Sequence, residues 1–165
     1  MDVPPDIRRR SRKESLSDLM HAMKVIRATK AASSAIDFID RNDYASALAE
    51  LIDAEEVFKE LDDMVQVANM LSLQALCLYA LGRMAEAEVA MRRAVALRSD
   101  LGASESRATD LLGLGEILLK KGEPREAMEA FLDAKTVFEG LGLDDGVERS
   151  MAAMKRAKAA MEGMA

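Results

Sequence analysis

Few residues in this sequence could do chemistry, and their spacing decides how far each reading goes. There is one histidine, His21, and one cysteine, Cys77, and no nucleophile stands beside a base in the manner of a hydrolase or transferase. His21 follows Asp18 at helical spacing, yet a lone histidine near a chain start reads first as a solvated or capping side chain. Cys77 lies in an apolar run with Leu76 and Leu78, where a free thiol serves as a small hydrophobe. Gly113-Leu114-Gly115 with Lys120-Lys121 downstream superficially suggests a phosphate loop. Such a loop needs a strand before it and Gly-Lys-Ser/Thr within it, whereas these glycines fall inside a helical period. Asp37, Asp40 and Asp43 recur every third residue, which puts them on one helix face and not at the alternate positions of a calcium loop. The sequence therefore predicts no catalytic residue, no cofactor, no metal ligand and no small-molecule substrate.

Charge gives the next constraint. The net charge is −6, but residues 1–15 run the other way, with Arg8, Arg9, Arg10, Arg12 and Lys13 against Asp2, Asp6 and Glu14. The acidic remainder excludes a nucleic-acid-binding core, which needs cations clustered on one face. The Arg8–Lys13 segment could touch nucleic acid or an anionic membrane, but no aromatic residue accompanies it as a stacking platform. The favoured expectation is a disordered, solubilising arm over residues 1–16. With a single cysteine no intrachain disulfide can form, and no stretch approaches the roughly 20 apolar residues that span a bilayer. A cytoplasmic setting is expected.

The elements that carry these residues are helices. Half of the residues are apolar, dominated by Ala, Leu and Met, with 12 Met, no Trp, and proline only at Pro4, Pro5 and Pro124. Self-comparison finds a period of forty: Ala47, Ala87 and Ala127 match, followed by Leu51, Met91 and Phe131, then by Ala54, Ala94 and Ala134. Asn42, Gly82 and Gly122 fall where helices should stop. This spacing predicts helices near 17–41, 44–61, 64–81, 84–100, 104–121, 124–140 and 145–162, the first open to a break at Ser33-Ser34. They form one domain over 17–162, with repeats at 22–61, 62–101 and 102–141 and a capping helix at 145–162. The alanine columns, with Gly115, mark where paired helices cross closely.

In these columns the chain resembles the tetratricopeptide repeat. The third unit reads Leu111-x2-Leu114-Gly115-x2-Leu118, then Ala127-x3-Phe131 and Ala134; the first two units are degenerate but in register. It departs from that pattern in lacking the closing proline, replaced by Lys59, Ser99 and Glu139, and in its longer period. The resemblance implies an all-α, right-handed superhelix of three hairpins, whose first helices line a concave protein-binding groove. By that alignment the groove includes Thr29, Ala32, Ile36 and Ile39, then Asn69, Ser72, Leu76 and Tyr79, then Thr109, Leu112, Glu116 and Lys120. Family members that grip C-terminal carboxylates carry Lys and Asn at the positions held here by Ala32, Ser72, Leu112 and by Ile36, Leu76, Glu116. None matches, so a helix or extended peptide of a partner protein is the expected ligand.

The leading expectation is thus an adaptor or scaffold with a peptide-binding groove. The alternatives are a chaperone for a secreted protein, like those of type III secretion, and a self-assembling structural repeat. In the last helix Val147, Met151, Met154 and Met161 recur along one side. That stripe suits a cap over the third unit, or self-association as a homodimer.

Overall fold

The computed structural model describes residues 5–102 and 104–164, with side chains from Ser15 onward. Seven helices and no strand occur among them: α1 (Pro5–Asp40), α2 (Tyr44–Glu60), α3 (Met64–Ala80), α4 (Met84–Asp100), α5 (Glu105–Lys121), α6 (Pro124–Leu141) and α7 (Asp144–Glu162). The expected bounds fall within one residue of these at every end but one.

The exception is the start of α1. The disordered arm expected over 1–16 is corrected over residues 5–16, where the backbone is already helical; residues 1–4 lie outside the described residues. The physical reason is visible in the segment itself, which opens on Pro5 at the first helical position and then contains Arg, Lys, Glu and Ser but no glycine. The break considered at Ser33-Ser34 does not occur either, and α1 runs unbroken for 36 residues.

The turns explain why α2 to α5 have one length, 17 residues, and α6 nearly the same, 18. A left-handed residue recurs every twenty positions: Asn42 (φ 59°), Asp62 (57°), Gly82 (76°), Gly102 (98°), Gly122 (83°) and Gly142 (68°). Only glycine, or a short polar residue such as Asn or Asp, adopts that conformation at little cost. The next residue donates its N–H back across the helix end, Asp43 to Phe38, Asp63 to Phe58, Arg83 to Leu78, Glu123 to Leu118 and Leu143 to Phe138, at 2.9 or 3.0 Å. That same residue then opens the following helix. Asp43 and Asp63 accept the N–H of Ser46 and Gln66 at 3.2 and 3.1 Å, satisfying donors that the first turn leaves free. One stop and one start are compressed into each short turn.

Packing follows from the columns. Ala47, Ala87, Ala127, Ala54, Ala94 and Ala134 are all fully buried, and so are Leu51 and Phe131 beside them. Gly115 goes further than alanine could, since a Cβ there would lie 2.3 Å from the Phe131 ring. Helices pack against their neighbours in sequence, and beyond that α3 meets α5 and α5 meets α7, whereas the even-numbered helices make no comparable contact with one another. The odd-numbered helices therefore crowd together on the inner side of the curve, and the even ones fan out along its outer side.

Candidate protein-binding groove

Five of the eight residues expected in the second and third parts of the groove line two adjoining hollows on the inner side. One, of about 260 Å³, is walled by Leu76, Tyr79, Met91 and Ile117. The other, of about 450 Å³, lies between α5 and α7, against Thr109, Leu112, Arg149, Ala152 and Arg156. Both share Gly113 and Glu116. Gly113 lets α4 come close at the floor: a Cβ there would meet the Met91 methyl at 2.8 Å, so the missing side chain leaves room for Met91. Leu76 is 46% exposed and offers apolar surface, while Leu112, at 7%, forms part of the floor.

Glu116 anchors the rim by accepting two hydrogen bonds from the Arg156 guanidinium, Nη1 at 3.0 Å, which ties α5 to α7 across the hollow. The groove is thus less neutral than expected, and α7 lines it as well as capping the third unit. The sequence carried that signal. Extending the forty-residue register by one step aligns Arg149, Ala152 and Arg156 with Thr109, Leu112 and Glu116.

The remaining expected groove residues do other work. Asn69 accepts from Arg98 Nη2 at 2.9 Å and donates to Gln66 at 3.0 Å, and Ser72 donates to the Ala68 carbonyl. Arg98 is buried and pairs with Asp110 through Nε at 2.6 Å. Burial pushes the Asp110 carboxyl above its ordinary range, against the pull of the Arg98 charge. Asn69 is therefore engaged, through Arg98, in holding α3, α4 and α5 together, while Ser72 bonds back within α3. Lys120 is exposed at the last turn of α5 and lines neither hollow. In the first unit Ile36 is 49% exposed and Ala32 and Ile39 are half-buried.

The residues that looked reactive in sequence find ordinary places. Cys77 is fully buried, and burial raises its thiol above the usual range, which disfavours the nucleophilic thiolate. Asp43 is a helix cap. Glu88, Glu123 and Glu126 bring carboxylates within 4.8 Å of one another, but Lys121 and Arg92 already pair with them. In α7, Val147 and Met154 pack against the core, Met161 is half-buried, and Met151 remains 55% exposed. No helix among the described residues is long and apolar enough to cross a membrane.

An inner face of close-set first helices and an outer face of second helices define an α-solenoid of helical hairpins. Residues 66–140 match the family described as the tetratricopeptide repeat, which supports reading the chain as a tetratricopeptide-repeat protein. Its fold is similar to that of a tetratricopeptide-like protein of Chlorobium tepidum, at 18% identity and a TM-score of 0.67, covering 82% of this chain and 97% of that one. It is also similar to the Rap conjugation gene regulator of plasmid pLS20, solved in complex with the Phr* peptide. There the identity is 17% and the TM-score 0.60, and the match covers 82% of this chain but only 40% of the regulator. No curated protein matches it in sequence.

Proposed function

We propose that the protein is a non-catalytic scaffold that holds a peptide or helix of a partner protein on the face formed by α3, α5 and α7. The observation that carries this reading is the pair of adjoining hollows meeting at Gly113 and Glu116. Their apolar wall of Leu76, Tyr79 and Ile117 suits large side chains of a ligand, and Arg149 and Arg156 at the other end suit an acidic group. That the Rap regulator is seen with a peptide supports a ligand of this class. A cytoplasmic setting belongs to the same proposal.

Selection from a displayed peptide library against the full chain tests it, with a Leu76→Asp, Tyr79→Ala variant as the control. Leu76 is exposed and Tyr79 half-exposed, so the variant should keep its helicity. Peptides enriched on the wild type are expected to lose at least about tenfold in affinity on the variant. Peptides that bind both forms equally would place the binding surface elsewhere.

A further inference from the structure

We infer that the overhanging half of α1 is a dimerisation face, and that what covers it is the α1–α2 hairpin of a second copy of this chain, related by a twofold axis. At 36 residues α1 is twice the length of α2, which ends at Glu60 beside Lys24 (2.7 Å). Upstream of that point no helix lies over α1. There Leu16, Leu19, Met20 and Met23 are 57, 57, 55 and 61% exposed, and Ile26, just past Lys24, is 66% exposed. Their spacing sets them along one side of the helix, the pattern of a stripe made to be covered. A crevice of about 400 Å³, between Leu16 and Met20 on α1 and Leu61 past the end of α2, leads off this stripe.

Charge selects the occupant. The overhang carries the sequence Arg8 to Lys13, and the acidic counterpart lies on α2, where Glu50, Asp53 and Glu56 surround a 45% exposed Ile52. Among the described residues none of these three carboxylates makes an ion pair. Within one chain the Arg8–Lys13 segment cannot reach these acids, because α1 passes the end of α2 at Lys24, well before that segment. An antiparallel second copy brings each overhang alongside the other copy's α2, satisfying both pairs in one self-complementary contact. Against α1 alone each basic segment would meet Arg27 and Lys30; Glu50 and Asp53, which border the same crevice as those two cations, supply the countercharge. The far end of the solenoid is mixed in charge, since near the exposed Met151 α7 bears Glu148 as well as Arg149, Lys155 and Lys158.

Sedimentation equilibrium of the full chain tests this at low and high salt. The expected result is a dimer that weakens as salt screens the ion pairs. Leu19→Asp with Met23→Asp should raise its dissociation constant at least about tenfold while circular dichroism stays unchanged, because both residues are exposed. Asp53→Lys with Glu56→Lys should weaken it too. A monomer at every concentration, a dimer indifferent to both variants, or one abolished by Met151→Asp instead would overturn the inference.

Discussion

Two repeat interfaces of this molecule solve one packing problem with opposite chemistry. At equivalent positions forty apart, the third unit places Phe138 and the second places Arg98. Phe138 is buried over Gly146, close enough that a Cβ on that glycine would fall 2.3 Å from the ring. Arg98 is buried at the same depth but reaches Asp110 and Asn69. The aromatic contact is held by shape and by exclusion of water, and it tolerates no added volume. The ion pair is held by partnership, and it tolerates no missing member. The hairpin geometry is indifferent to which is used, so the backbone repeat is more regular than the chemistry that fills it.

Removing one partner of the buried pair should break the comparison most severely. Asp110→Ala leaves the Arg98 guanidinium desolvated and without its carboxylate, and about 3–5 kcal/mol of stability should be lost in denaturant titration. Gly146→Ala attacks the other interface by overpacking. It should cost about 1–3 kcal/mol by the same measurement, and Phe138→Leu on top of it should restore part of the loss.

The smallest effect sharpens the contrast within the polar class and is read in the pH dependence of stability. Burial pushes the Glu55 carboxyl up, but hydrogen bonds from Lys59 and Gln74 and the Arg93 charge outweigh it, leaving it below its ordinary range. What Glu55 contributes is therefore complete above that range and lost as pH falls through its folded value. Asp110 has the opposite sign: its raised carboxyl contributes most at acid pH, and this declines as pH rises through the folded value. Glu55→Gln should flatten the acid limb of a stability–pH profile and Asp110→Asn should steepen it; profiles that move the same way would refute the assignment.

The fold was legible because small-residue columns and stop signals repeat on a fixed ruler, and local propensity agrees with them throughout. Half of the ruler was missed. Asn42, Gly82 and Gly122 are recognisable as stops, but Asp62, Gly102 and Gly142 complete the series at twenty, and Asp62, though of a type that tolerates the left-handed region, reads equally well as the cap of the next helix. The groove was only partly legible. Leu76, Tyr79, Thr109, Leu112 and Glu116 line its hollows, whereas Asn69, polar and on the expected face, is consumed by the Arg98–Asp110 network and Ser72 bonds back to its own helix. The sign of that network was a column mismatch, an arginine where the flanking units have phenylalanine. Such a mismatch reveals its partner only once the helices are stacked. The start of α1 is hard to read because dense positive charge points to a solvated arm while the good helix formers among the same residues carry the helix from Pro5.

The turns at Asn42, Asp62, Gly82, Gly102, Gly122 and Gly142 also bear on how such a chain can change. Because each carries its own punctuation and each helix answers chiefly to the next, inserting or excising forty residues between any two equivalent turns preserves the phase of everything downstream. Reach along the inner face is thereby adjustable in whole steps, independently of what any single step recognises.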